Sequence, residues 1–467
     1  MNPVAWVPPP PMNPTPAPSA AGKKIWSVGT LTYTSAGLVL LFTWLLFGDF
    51  AYMMRERSAA PVAQLMLKKF HATDFVTGLF LLTIPQAIIF FAGPAVSYWS
   101  DRHRGRRGRR IPFLLLPTPF VTLAMFGLGY SPRLGPVLHR FFGGDPATVN
   151  QTILLTMGFF WMVFEIGVVI SNAVFNGLIN DVVPREWLGR FYGLFRAVGL
   201  GAGVLFNYQI IGRAEENYAI IFAGIGLIYG LGFTGMCLRV KEGDYPPPPS
   251  AATRGNPVVG AVGDYFRDCL SKPYYLWVFC YIGLANASFL PVNTFAIYAA
   301  KSYGMSMDTY GKFLVATFTC SFLLSFPLGW LADRFHPLRV GQGALLLYAV
   351  LMLAGFALMH DPKSFGPVLL AHGIISGTFF TGTAAIGQML FPQLKFAQFA
   401  AAGLLIAALF NMALGPLLGA GLDRLGSDYR YTFLASSMLA VVSLGLGWVV
   451  HRRWQRLGGR TGYTAPE

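Results

Sequence analysis

Charge is what this 467-residue sequence has least of: 12% of its residues are Asp, Glu, Lys or Arg, against about 25% in soluble domains. That shortage excludes a soluble protein of two or three domains, which needs far more polar surface. Cysteine is scarce as well. Cys237, Cys269, Cys280 and Cys320 form no CxxC pair, so neither a disulfide framework nor a structural metal site is expected, and they read as packing residues. No glycine loop ending in Lys and Ser or Thr appears, which excludes a P-loop ATPase. HExxH, GxSxG and His-rich helices are missing too, which argues against a membrane-embedded enzyme.

What is abundant is apolar. Hydrophobic residues make up 54% of the chain, with 40 Phe and 53 Gly, and mean hydropathy is +0.52. This composition suits helices that face lipid and pack closely on each other. A spanning helix needs about 20 largely apolar residues. Twelve such segments are expected, near 34–54, 73–98, 111–130, 152–176, 190–211, 218–238, 273–299, 309–331, 341–359, 365–389, 396–419 and 431–451. With the N-terminus cytosolic, 22 Lys and Arg fall on the inner side and 11 on the outer side, which predicts N-in and C-in. The expected outer loop MRERSAAPVAQLMLKKF, with four cations, is the main dissent.

The fold class predicted is thus an all-α polytopic membrane protein of 12 transmembrane helices in two six-helix halves. Residues 1–29 hold eight prolines within the first 21 and read as a disordered lead-in. Residues 30–239 form the first half and 273–451 the second. A cytosolic linker, 240–272, carries DYPPPPSAATRGNP and a candidate surface helix, and 452–467 form a cytosolic tail. SYWSDR at the end of segment 2 is echoed by GWLADR at the end of segment 8, with Asp101 and Asp333 separated by 232 positions. That echo reads as a duplication, and paired membrane halves imply alternating access to a site between them.

The loop after segment 2 reads SDRHRGRRGRRIPF. Ser97, Asp101, Arg102, Gly108, Arg109 and Arg110 resemble the G-x-x-x-D-R-x-G-R-R motif of the major facilitator superfamily, with Ser97 in the glycine's place. The longer form is similar to the glycoside–pentoside–hexuronide cation symporters and proton-coupled sucrose transporters, with Ile111 replacing an arginine. Asp181, Pro184, Arg185, Glu186, Gly189 and Arg190 at the next inner loop also look like that group. The resemblance implies the twelve-helix fold and secondary transport. Asp101, Arg102, Arg109, Arg110, Asp181, Arg185, Arg190, Asp333 and Arg334 are the gating candidates, whose charge-assisted bonds would hold the inner side shut. The surplus Arg104, Arg106 and Arg107 set topology and meet anionic lipid.

Polar groups inside the bilayer are costly and need a partner or a wet cavity. Asp49 is expected in the outer half of segment 1. Glu165, Asn172 and Asn176 share one face of segment 4. By the helical rise, Glu165 lies about 16 Å from the inner end and Arg196 of segment 5 about 9 Å, so the two can pair, as a structural bridge or as a coupling pair in the cavity. Asn286 and Asn293 of segment 7, His372 and Ser376 of segment 10, and Asn411 of segment 11 complete the candidates. Such amides and hydroxyls suit a polyhydroxy solute, with Trp44, Trp161 and Tyr281 available to stack on a ring.

The expected function is symport of a small polar solute, a sugar or glycoside, with H⁺. Na⁺ is disfavoured, because the resemblance implies paired aspartates on helix 2 for sodium-coupled members, and segment 2 here has Gln86 and no aspartate between its ends. The alternatives are an exporter of drugs or other metabolites on the same fold, and a membrane-embedded solute sensor. No cofactor, metal or nucleic acid is expected. The partners are the solute, the proton and membrane lipid, with the protein acting as a monomer in a bacterial inner membrane.

Overall fold

The computed structural model describes residues 25–245, 269–392 and 395–466, without the side chains of Pro146, Phe326, Asp333, Ala397 and Thr461. Most of the expected lead-in and of the central linker therefore lies outside the described residues.

Long helices dominate, as an apolar medium requires when backbone groups have no water to bond. In chain order they are α1 (Ser35–Lys69), α2 (Asp74–Arg102), α3 (Ile111–Phe141), α4 (Val149–Val182), α5 (Arg185–Leu205), α6 (Ala214–Arg239), α7 (Pro273–Ser302), α8 (Met307–Phe335), α9 (Pro337–Leu358), α10 (Pro362–Gly382), α11 (Phe396–Arg424) and α12 (Arg430–Arg456). Ten helical runs among the described residues are long and apolar enough to cross a membrane, and α5 and α6 form one of them, Arg185–Arg239. Side chains cap the starts. Thr34, Thr73 and Ser306 each accept a backbone N–H three residues on, and Asp361 with Ser364 forms a capping box on α10. Three helices are interrupted. A π-helical turn, Leu79–Thr83, precedes Pro85 in α2, another, Phe206–Ile210, ends α5, and α7 breaks at Phe289 ahead of Pro291. A proline lacks the N–H that would continue the ladder, which accounts for the breaks at Pro85 and Pro291.

Three expectations need correction. The expected loop at 55–72 is mostly helix, because α1 runs 35 residues through Pro61; its Ala, Leu, Met, Gln and Glu residues favour helix and its apolar positions find cover. Asp49 consequently stands before the midpoint of α1 and not near its outer end. Residues 26–33 form a small antiparallel hairpin, Trp26–Val28 with Leu31–Tyr33, where order was not expected before residue 30. The tail also folds back, with Tyr463 donating to the Leu390 carbonyl at 2.7 Å and Tyr275 to that of Pro466 at 2.8 Å.

The packing repeats with a shift of six. Helix α1 packs on α5 and α6, α3 on α4 and α6, and α2 on α4; α7 packs on α11 and α12, α9 on α10 and α12, and α8 on α10. Between the two sets, α2 meets α11, α5 meets α8, and α1 meets α7. These meetings lie toward the end that carries the α1–α2 and α11–α12 turns. A Cβ on Gly78 or Gly415 would strike the other's backbone carbonyl, and one on Gly419 would strike that of Asp74. Close backbone approach of this kind requires glycine. Thr83 donates to the Met412 carbonyl at 3.0 Å, and Lys301 pairs with Glu215 at 2.5 Å.

Candidate functional site

The extension of α1 carries Arg55, Glu56 and Arg57 into the packed interior. Arg55 is fully buried and bonds Glu56 at 3.2 Å. Its guanidinium also lies over Tyr52 at 4.4 Å, Tyr229 at 5.2 Å and Phe164 at 5.7 Å. Ring faces carry negative charge density and stabilise a cation held away from water. Two guanidinium nitrogens still lack a hydrogen-bond partner. Glu56 is 47% exposed although the residues on both sides of it along α1 are buried or half-buried. Arg57 reaches across to α8, 5.2 Å from the Phe318 ring.

Glu165 of α4 is buried against this group, and the charges acting on it are those of Arg55 and Glu56. The expected pair with Arg196 does not form. Arg196 is exposed on α5, because Arg55 occupies the position nearer Glu165, a residue the loop reading had put outside the bilayer. The stripe on α4 does face α1: Asn172 accepts a hydrogen bond from Tyr52, and Asn176 one turn on is exposed. Asp49 is fully buried and neither of its carboxylate oxygens has a hydrogen-bond partner.

Across the interface, Asn293 of α7 bonds His372 of α10 at 2.9 Å, and the other ring nitrogen meets the Tyr348 hydroxyl of α9, also at 2.9 Å. Asn286 and Ser376 instead donate to their own helices, at Ile282 and Gly373. The Asn411 side-chain oxygen is buried without a partner. Trp161 and Tyr281 are packed, with Trp161 donating to the Phe80 carbonyl at 2.8 Å, and neither faces open space. None of the four cysteines is in a disulfide.

A second network lies at the end carrying the α2–α3 and α4–α5 loops. Arg109 grips Asp181 through two nitrogens, at 3.0 and 2.8 Å, and Arg110 joins Asp181 at 3.2 Å to Asp101 at 2.7 Å. Partial burial works against the Arg109 charge, but its bonds to Asp181 outweigh that and hold it above the ordinary arginine range. Four of the nine gating candidates thus meet. Arg102, Arg190 and Arg334 lie instead over the rings of Tyr98, Trp187 and Trp330. Arg185 is exposed, and the Asp333 side chain lies outside the described residues. Among the described residues these ion pairs join α2, α3 and α4 to one another, where bonds holding the inner side shut had been expected.

Sequence reasoning missed Glu242. Its carboxylate accepts the backbone N–H groups of Arg109, Arg110 and Ile111 at 3.0, 2.8 and 2.6 Å, capping the start of α3, and it accepts from the Tyr245 hydroxyl at 3.0 Å. A carboxylate suits the unpaired donors and positive end of a helix, but a cap 131 residues away leaves no local signal. Asp423, Asp74 and Tyr429 were missed for the same reason. Arg55, Glu56 and Arg57 did carry a signal, since apolar helix-forming residues flank them on both sides.

With this geometry in view, the profile of the family described as MFS/sugar transport protein matches residues 33–394. The chain belongs to that family. The general alpha-glucoside permease of Schizosaccharomyces pombe (strain 972 / ATCC 24843) is 25% identical over 307 residues, 61% of this chain and 50% of that protein. The chain thus spans about half the length of that curated relative. Among solved structures, a bacterial homolog to human lysosomal transporter Spinster, inward-facing and unoccupied, superposes with TM-score 0.65 at 15% identity, covering 92% of this chain and 98% of that one. The D-xylose-proton symporter gives 0.62 at 14%, covering 88% and 96%, and nucleoside transporter NupG gives 0.61 at 11%, covering 88% and 98%. These likenesses show the fold. The chain is therefore a multi-pass, membrane-spanning member of a family of transport proteins.

Proposed function

We propose that the solute is a sugar or glycoside, with α-glucosides the first class to try, and that it crosses together with H⁺. The observation that carries this reading is a pair of exposed polar side chains on two helices that meet between the sets: Glu56 of α1, backed by buried Arg55 and Glu165, and Asn293 of α7, backed by His372. Ion pair and amide together suit a neutral solute rich in hydroxyls plus a carboxyl that exchanges one proton. Glu165 is that carboxyl, and Asp49 is the second candidate. The name of the yeast relative supports the choice of solute class.

The architecture proposed is twelve crossings in two six-helix halves, α1–α6 and α7–α12, with both termini cytosolic. Counting α5 and α6 separately and adding α8 to the runs above supports twelve, and the packing repeat supports the division. Placing Arg55 and Arg57 inside α1 removes two cations from the outer side, which strengthens the charge bias. The end closed by the α2–α11 and α5–α8 contacts is then outer, and the conformation is inward-open. The Asp101–Arg110–Asp181–Arg109 cluster serves as a gate element that keeps three helix ends moving as one. Residues 30–239, 240–272, 273–451 and 452–467 remain the proposed units.

Uptake of a labelled sugar panel into proteoliposomes, with and without an inward proton gradient, tests the reading. Gradient-driven accumulation of at least one glycoside is expected. Failure with every sugar would remove the proposed solute class while leaving the transporter fold untouched.

A further inference from the structure

Asn293 is the exception in its stretch of α7. From Pro291 to Ala300 every other residue is buried, and so are Phe289 and Ile297, four positions to either side. A lipid-facing stripe would expose those neighbours too, because residues four apart share a helix face. Asn293 therefore faces open space within the helix bundle and not lipid. Its support lies behind it. His372 and Tyr348 are buried, and the Phe289 ring packs 4.6 Å from Tyr348 and 6.5 Å from His372.

The hydrogen-bond arithmetic of this chain has few solutions. A neutral imidazole has one N–H and one acceptor nitrogen. The Tyr348 hydroxyl has two acceptors to choose from, His372 Nδ1 at 2.9 Å and the Ser288 carbonyl at 3.4 Å. The Asn293 atom that faces Nε2 is its Oδ1, which can only accept, so Nε2 must carry the proton and Nδ1 is left as the acceptor. Tyr348 then donates to Nδ1, the proton sits on Nε2, and Nε2–H donates to Asn293 Oδ1 at 2.9 Å. With its oxygen engaged, Asn293 turns its NH₂ to the open space. The opposite tautomer would turn its carbonyl there instead.

We propose that Tyr348 and His372 are positioning residues that fix the Asn293 amide as a hydrogen-bond donor toward the solute, so that the site selects solutes with an acceptor oxygen at that point. The solute class rests on the reading above; the orientation of the amide does not.

The first test is nitrogen NMR of the full-length protein in nanodiscs with labelled histidine, the His372 signals being assigned by their loss in His372→Gln. A protonated Nε2 and an unprotonated Nδ1 are expected, and the reverse overturns the proposal whatever the solute. The second test is counterflow of methyl α-glucoside and its single deoxy and deoxyfluoro analogues. Wild type should show KM raised about 10-fold for one deoxy analogue, the loss expected for one hydrogen bond, and less for the matching fluoro analogue. Asn293→Ala and His372→Leu should abolish that discrimination, raising KM for methyl α-glucoside itself about as far as the loss of the hydroxyl does in wild type. His372→Gln, whose amide still donates, should keep it. Unaltered discrimination in Asn293→Ala would overturn the proposal. A wild type that moves no methyl α-glucoside would count against the solute reading, while the tautomer measurement still decides the orientation.

Discussion

Asp423, near the end of α11, holds the first turn of α2: its two carboxylate oxygens accept the backbone N–H groups of Asp74 and Phe75 at 2.8 and 2.9 Å. The same Asp74 side chain accepts from Ser427 at 2.6 Å and from Tyr429 at 3.0 Å, and Tyr429 accepts from Lys68 at 2.9 Å. A helix start offers unpaired donors and a partial positive charge. Here the acceptor comes from the opposite set of helices, so opening this end breaks the bond.

Asp423→Ala removes that acceptor at a cost of about 1–2 kcal/mol, the usual worth of an N-cap, and should move the equilibrium about 10-fold toward opening. Spin labels at exposed His71 and Leu425 would report it as a longer-distance population. Gly415→Val should act more strongly, since its side chain collides with the Gly78 backbone.

Arg55→Leu should destabilise the fold by about 1–3 kcal/mol, because it takes the ion-pair partner from Glu56 and the buried cation from the faces of Tyr52, Tyr229 and Phe164. The check is thermal unfolding in detergent. Arg55→Lys, which keeps the positive charge, should recover part of the loss, which a purely steric role for Arg55 would not allow.

Arg109→Lys keeps the charge but loses the two-pronged grip on Asp181, and the two side chains are not interchangeable at such a site. Transport rate should fall about 10-fold with solute KM little changed. Glu242→Gln should show a milder version, since the amide oxygen still caps α3 without the charge.

His336 stands between α8 and α9 with φ of +78°. Burial, and then the charges of Arg339, His451 and Arg460, lower its pKa to about 4. Its Nδ1 accepts from the Leu338 N–H at 3.2 Å, which an imidazolium cannot do. The unfolded chain therefore binds the proton first, and stability should fall as pH drops from about 6.5 toward 4. His336→Asn, which tolerates positive φ and keeps an acceptor, should flatten that slope in thermal melts.

The parts of this site that were legible beforehand share a cause. Asp101, Arg109, Arg110 and Asp181 sit in short loops between apolar runs, where residue type and position suffice. Asn293 and His372 were legible as polar residues on apolar helices, but their pairing depends on how α7 meets α10. Arg55, Glu56 and Arg57 were misplaced because three charges in succession read as loop, and their burial becomes affordable only with Glu165 and three rings around them. Asp423 and Glu242 cap helix starts 348 and 131 residues away, which no local pattern encodes.

The central claim is that solute and proton move together through Glu165. Its most direct test uses proteoliposomes with a pH dye inside, to which the accumulated glycoside is added without any imposed gradient. Wild type should acidify the lumen as solute enters, and Glu165→Gln should exchange solute without acidification. Solute entry with no proton movement in wild type, or unchanged acidification in Glu165→Gln, would contradict the account.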